Sequence, residues 1–411
     1  MRSGWREVSL GEVITLQRGF DLPTSERKPG PFPIISSSGV SGHHYEARAM
    51  APGVVTGRYG TIGQVYFVQE DYWPLNTTLW VKDFKGNDPR FVSYLLSRID
   101  FAHYSDKSSV PGVNRNHLHS ERVVLPPVEV QKEVSRLLGQ FDDKIDLNRR
   151  MNQTIEELAR ALFKSWFVDF DPVWAKVAGR KPWGMDAKTA ALFPDEIEVS
   201  ESEEIPKGWK VVSLLDIATL LSGGTPATDD PNLWNGGIPW ASGKDVAGAA
   251  GGYLLETERT ITQSGMESSA TKLLPEGTVI MTARGTVGAL AILSRPMCMS
   301  QTSYGLKARN GVGDEFLRLT VVNAVSGLQQ QSYGTIFDTV TTKNLRATQV
   351  LLPSQSVLRA FSAQVGPLMK ITLSNLKQSR ILADARNALL PKLLSGEIRL
   401  PLSQNSREVS G

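Results

Sequence analysis

The chain is written twice. "GWREVSLGEVITL", beginning at Gly4, returns as "GWKVVSLLDIATL" beginning at Gly208, 204 positions later. Further along, "YGTIG" (59–63) meets "RGTVG" (284–288) at an offset of 225, and "VVLPP" meets "VLLPS" with Pro126 opposite Pro353 at an offset of 227. The offset grows early, so the second copy carries 21 extra residues before its Gly-Thr loop and 2 after it. A repeat of this length constrains the fold strongly, because two copies of one pattern call for two related structures. A length of 411 residues independently calls for more than one core.

Each copy opens with short apolar runs rich in β-branched residues and broken by Gly, Pro, Ser and Asn, a pattern of strands and turns. Each copy then closes with a long helix. "FDDKIDLNRRMNQTIEELARALFKSW" (141–166) and "KITLSNLKQSRILADARNALL" (370–390) belong to the constant 227 offset. A helix of about 38 residues is about 57 Å long at ~1.5 Å per residue. The expected organisation is α+β: residues 1–127 form a first β-rich domain, 128–166 a long helix, 167–206 a connector with a short helix around Ala187 to Leu192, 207–353 a second β-rich domain, and 354–398 a second long helix with a C-terminal segment.

Positions 130, 134, 137, 141, 144, 148, 151, 155, 158 and 162 step alternately by four and three, and eight of the ten are apolar, as a coiled-coil stripe requires. Their counterparts are Val357, Phe361, Gln364, Leu368, Ile371, Asn375, Gln378, Leu382, Ala385 and Leu389, seven of them apolar. Such a helix outruns the width of a domain of ~120 residues, so much of its stripe needs the other copy's helix as partner. An antiparallel pair about a pseudo-two-fold axis brings Asn148 and Asn375, which share one repeat position near mid-helix, close together, where they can fix register. Pro367 is expected to bend the second helix, and Pro391 to end or kink it near Leu390.

Catalytic constellations are missing. "GGIPWASGKD" around Gly243 and Lys244 resembles a phosphate loop superficially, but Asp245 stands where Ser or Thr is needed. "DPVW" at Asp171 lacks the second proline of the amine-binding tetrad of amino-methyltransferases, and no strand followed by a glycine-rich turn supplies a cofactor pocket. Pro194-Asp195 has no Asp/Glu-x-Lys partner for a nuclease site. The single cysteine, Cys298, builds neither a disulfide nor a Cys-rich zinc site, and the five histidines lack ligand spacing, so no metal is expected. No apolar run approaches a membrane span and the N-terminus lacks a signal-peptide core, which places the chain in the cytoplasm with no membrane partner. A net charge of +3 is compatible with nucleic acid without requiring it.

The remaining candidates are loops that mix small residues with a cationic or amide side chain, each loop present in both copies. The first copy offers Arg58, Tyr59, Gly60 and Thr61, and in "DKSSVPGVNRNHL" Lys107, Ser108, Asn114 and Arg115. The second offers Arg284, Gly285 and Thr286, and in "YGTIFDTVTTKNL" Tyr333, Thr341, Thr342 and Lys343. Glycine lets a backbone approach a ligand, and Arg, Lys, Asn and Thr suit phosphate and base-edge contacts. The same Gly-Thr pairs suit β-turns, and the Asn and Thr suit helix caps.

"GRYGTIG", "VPGVNRNHL", "VVLPPVEVQKEV", "LNRRMNQTIEELARALFKSWFVDFDP" and "ALLPKLLSGEI" carry a family resemblance: from Trp5 to Ile398 the chain resembles the specificity subunit of type I restriction-modification systems. The second copy departs more, with "TVTTKNL" replacing the Asn-Arg-Asn form. The resemblance implies two target-recognition domains separated by two long antiparallel coiled-coil helices, pseudo-two-fold symmetric. It implies a non-catalytic subunit that binds an asymmetric bipartite site on double-stranded DNA, one domain per half-site. A pair of methylation subunits would dock on the helices and bind S-adenosylmethionine, this chain holding no cofactor, and restriction subunits would join for cleavage. The alternative from the residues alone is a non-catalytic protein- or glycan-binding adaptor with a coiled-coil spacer.

Overall fold

The computed structural model describes residues 4–104, 112–200, 203–285, 287–309, 311–331 and 339–401. The chain is α+β and divides into two compact units, residues 1–145 with 380–411, and residues 146–379. The division falls inside both long helices, Val128–Phe167 and Gln355–Leu394, so each unit contains one half of each. Both helices are 40 residues long, and their ends keep the 227 offset of the repeat.

In the first unit, strand Arg6–Ser9 pairs antiparallel with Arg122–Leu125, closing the domain's two ends together just before the long helix begins. Between them lies a four-stranded sheet in the order Thr15–Arg18, Thr78–Asp83, Gly53–Gly57, Val65–Val68. A three-stranded sheet runs Gly39–His44, Phe32–Ser36, Trp73–Pro74, its last pairing parallel. The second unit repeats this arrangement. Lys210–Ser213 pairs with Gln349–Leu352, and Ala218–Ser222, Ser303–Ala308, Val279–Thr282 and Leu290–Leu293 follow in the same order, with Tyr253–Leu254 added at the edge. Arg259–Ile261, Trp234–Ala241 and Cys298–Met299 form the three-stranded sheet, again with its last pairing parallel. Even a local device recurs: Ser9 with Glu12, and Ser213 with Asp216, form capping boxes on the four-residue helices Leu10–Val13 and Leu214–Ile217. The connector holds two short helices, Asp171–Val177 and Ala187–Ala190, and a hairpin of Ile197–Ser200 with Glu203–Pro206.

Each domain grips its half of the long helices through one head helix. In the first unit Pro89–Leu96 is capped by Asp88, whose Oδ1 accepts from Phe91 N (2.8 Å) and from Ser135 Oγ on the long helix (2.5 Å). Gln131, also on the long helix, donates to Asn87 Oδ1 and Pro126 O and accepts from Asp88 N. Arg90 reaches Asp143 at 2.5 Å, and Asp142 accepts from Tyr94 and from Arg386 of the second long helix. In the second unit Asp314–Gln331 takes this role through Arg318, which pairs with Glu156 on the first long helix and lies 3.8 Å from the Met369 sulfur on the second. Repeat-related glycines permit the approach. A Cβ on Gly139 would lie 2.6 Å from Arg90 Nη1, and one on Gly366 would lie 3.1 Å from Glu315 Oε1.

Within each unit the two helix halves run antiparallel. In the second unit Asn148 contacts Asn375, Gln378 and Ser379, whereas Asn152, one turn later, contacts Thr372 and Asn375. In the first, Asp142 meets Arg386. The seam is displaced from the expected stripe by one residue in every second position. Met151 and Leu158 are 40 % and 53 % exposed, and Asn152 and Ala159 are buried in their place. On the other helix Ile371 is 43 % exposed and Thr372 is buried, and Gln364 and Gln378 are exposed while Val365 is buried. The buried column carries Asn152, whose amide donates to the Thr372 backbone carbonyl across the pair, and Thr372, whose hydroxyl donates to Leu368 O on its own helix, so an apolar pattern was the wrong guide to it. Pro391 does not end the second helix. The helix continues for another turn to Leu394, where Ser395 N donates to Pro391 O at 2.9 Å.

Candidate nucleic-acid interface

The loop that follows strand Gly53–Gly57 is fixed on both sides by its backbone. Arg58 N and Tyr59 N both donate to Thr77 O, at 2.9 and 3.2 Å, and Arg58 O accepts from Val113 N at 3.0 Å. Tyr59 and Gly112 form an isolated antiparallel bridge. Glycine is obligatory at 112, because a Cβ there would lie 2.2 Å from Tyr59 Cε1. With one side of the ring against Gly112, the Arg58 guanidinium lies over Tyr59 at 4.5 Å from the ring centroid, a cation–π contact that holds its planar fork. The turn that follows needs positive φ at Gly60 (75°) and Gly63 (83°).

Asn114 and Arg115 lie beside this loop. Asn114 caps the short helix Arg115–His119, its Oδ1 accepting from Asn116 N at 3.0 Å. Arg58, Tyr59, Asn114 and Arg115, which the sequence placed in two separate motifs, line one cleft of about 370 Å³ with Leu79, Gly112, Val113 and Arg18. Arg18 was missed by sequence reasoning. It ends strand Thr15–Arg18 opposite Leu79, and only the sheet register carries it to the cleft. Gly60 and Thr61 are exposed on the adjoining turn, and Lys107 and Ser108 lie outside the described residues.

His119, at the end of the same short helix, is an acceptor: Leu16 N donates to its Nε2 at 3.0 Å. Burial first, then the positive charges of Arg115 and Lys85, hold its imidazole below the ordinary histidine value. The folded state therefore favours neutral His119, while the unfolded chain takes up the proton near ~6.5. Stability from this group is full above that value and is lost as pH falls through it toward the lowered folded value. Thermal unfolding between pH 8 and 5.5 should show a fall in Tm that is smaller in His119→Gln, whose amide oxygen can accept from Leu16 without titrating. An equal fall in both proteins would exclude this role.

The second unit builds the same backbone with different side chains. Ala283 N donates to Thr302 O at 2.8 Å and Val340 N donates to Ala283 O at 3.0 Å, while Arg284 bridges Thr339. These bonds make Ala283 the counterpart of Arg58 and Arg284 the counterpart of Tyr59, so the two arginines stand at adjacent rather than equivalent positions. Gly285 and Gly288 have positive φ, like Gly60 and Gly63. Thr341 is a cap, its hydroxyl accepting from Asn344 N at 3.3 Å, and Thr342 and Lys343 are exposed at the start of helix Thr342–Ala347. Thr286 and Tyr333 lie outside the described residues. Asn148 and Asn375 lie on the long helices, away from either loop cluster in sequence, and each hydrogen-bonds to the opposite helix.

The described residues contain no His/Cys/Asp/Glu group that could hold a metal and no helix long and apolar enough to cross a membrane. Cys298 is buried, and burial pushes its thiol above the usual value, away from the reactive thiolate.

A family model described as the type I restriction modification DNA specificity domain matches residues 2–157 and again 206–357. The chain is 26 % identical to the type I restriction enzyme HindI specificity subunit of Haemophilus influenzae, over 96 % of this chain and 100 % of that one. It is also 26 % identical to the MjaIX specificity subunit of Methanocaldococcus jannaschii, over 75 % of this chain and 69 % of that one. Among solved structures, the S subunit of a type I restriction-modification system from M. genitalium shares its fold, with a TM-score of 0.60 at 14 % identity, over 95 % of this chain and 96 % of that one. Two family matches fall on the two structural repeats and displace the protein- or glycan-binding adaptor. The chain belongs to the type I restriction modification DNA specificity family.

Proposed function

We propose that this chain is the DNA sequence-specificity subunit of a type I restriction-modification complex, and that each β-rich domain reads one half of an asymmetric, two-part site on double-stranded DNA. The observation that carries the reading is the duplicated framework with unlike loop side chains: one strand order and one set of backbone bonds at residues 58–59 and 283–284. A shared framework presents its loops in the same way, and different side chains on those loops read different bases. The long helices supply the spacer between the half-sites and the surface on which two methylation subunits dock, with restriction subunits joining them. The chain itself performs no chemistry and binds no cofactor. S-adenosylmethionine belongs on the methylation subunits, and the assembly works on DNA in the cytoplasm.

Selection from a random duplex pool by the chain co-purified with its methylation subunits tests this. Enriched duplexes should share two unlike conserved blocks, each readable to one domain by exchanging residues 207–353 with those of another family member. A single continuous block, or two identical ones, contradicts the reading.

A further inference from the structure

We propose, resting on the DNA-binding function above, that the cleft lined by Arg18, Arg58 and Arg115 is a seat for backbone phosphates of the duplex, and that the second domain has no equivalent seat. The three arginines line one cleft of about 370 Å³. Among the described residues no carboxylate pairs with Arg58 or Arg115, and the Asp21 carboxylate stands 3.7 Å from Arg18 with side chains 54 % and 71 % exposed, a pair worth little. Elsewhere in the same domain the half-buried Arg90 is matched by Asp143 at 2.5 Å. Positive charge is therefore left uncompensated where the fold has made a recess for it.

The chemistry favours phosphate over a base edge. A guanine edge offers two acceptors, O6 and N7, which one arginine fork satisfies. Three donor-only side chains exceed that demand, and the Asn114 oxygen that could balance them is committed to Asn116 N. Phosphodiesters supply negative charge and several acceptor oxygens in succession. Stacking on Tyr59 holds Arg58 in place before DNA arrives, which lowers the ordering cost of binding.

The repeat shows what the second domain lacks. Strand register places Ser222 at the position of Arg18, the backbone bonds place Ala283 at that of Arg58, and the 227 offset places Thr342 at that of Arg115. Its own cations, Arg284 and Lys343, replace Tyr59 and Asn116 and lie exposed. The half-site bound by the first domain thus carries the larger salt-dependent share of binding.

The test uses the complex with its methylation subunits and the duplex selected above, with affinity measured against salt. Arg18→Gln, Arg58→Gln and Arg115→Gln together should lower the slope of log K against log salt by about 2 to 3, each phosphate contact contributing about 1. The three Arg→Lys replacements should retain the slope. Neutral methylphosphonates placed one at a time in the wild-type site should weaken binding at phosphates beside the first half-site, and this readout needs no variant to fold. An unchanged slope in the Gln protein, with altered base preference instead, would show base reading and overturn the seat. So would methylphosphonate sensitivity confined to the second half-site. A wild-type complex with no sequence preference at all would instead remove the functional reading on which this rests.

Discussion

Asn148→Asp is expected to destabilise the second unit by roughly 3 kcal/mol, the cost of an uncompensated charge in a buried polar site. Asn148 is 0 % exposed, and its Nδ2 faces Asn375 O (3.3 Å), Gln378 Oε1 (2.9 Å) and Ser379 Oγ (3.1 Å). Aspartate offers no donor to these groups when ionised, and its charge meets the Asn375 carbonyl oxygen. Asn148 Oδ1 has no partner among the described residues, so this amide is not the most stabilising choice for the site. We read it as a register device, in which a buried amide costs stability in every pairing but least in the correct one. Asn148→Leu should therefore unfold at higher denaturant than Asn148→Asp while permitting more than one helix alignment, seen as a broadened transition. Urea unfolding of the two proteins side by side checks both statements. Equal midpoints for Asp, Leu and wild type would exclude the device.

Arg318→Met is the second large effect, a loss of roughly 2 to 4 kcal/mol. The Arg318 side chain is 7 % exposed and ties the head helix to both long helices, through Glu156 on one and Met369 on the other. Burial works to raise the Glu156 carboxyl, but the charges and hydrogen bonds of Arg318 and Arg160 outweigh it and hold the group below the usual carboxylate value. With the folded value depressed, the stabilisation is present above the unfolded carboxylate value of ~4.3 and is lost as pH falls through the folded one. Met at 318 leaves Glu156 with Arg160 alone. Adding Glu156→Met to Arg318→Met should recover much of the loss, because two apolar groups replace a pair without leaving a charge behind. A double variant as unstable as the two single losses added together would mean that the two residues act independently.

Much of the architecture was legible because it was written twice. The closing strand pairs at Arg6–Ser9 with Arg122–Leu125, and at Lys210–Ser213 with Gln349–Leu352, are the very motifs that set the repeat offsets. The long helices Val128–Phe167 and Gln355–Leu394 carry a sustained period, but the second runs a turn beyond the stop expected near Leu390 because a proline one turn from the end removes only one backbone donor. The seam's phase was not legible. A stripe chosen for apolar residues takes Met151 and Ile371 over Asn152 and Thr372, and nothing local shows that the Asn152 amide meets the Thr372 carbonyl across the helices while the Thr372 hydroxyl turns back to Leu368. In the cleft, Arg58 and Arg115 were found through their glycine-rich and Asn-Arg-Asn settings. Arg18 lies in no motif, and its place depends on pairing with a strand some sixty residues later. The equivalence of Arg58 with Ala283 was legible, because the 225 offset that aligns Tyr59 with Arg284 already implies it, and the backbone bonds agree.

If two unlike readers bind one duplex at a fixed separation, as proposed above, a spacer-length series tests it most directly. Duplexes carrying both half-sites would differ by single base pairs in the stretch between them, each step moving one half-site by about 3.4 Å and turning it by about 35°. The account predicts tight binding at one spacer length and a loss of tenfold or more one base pair to either side. Equal affinity across the series would contradict it.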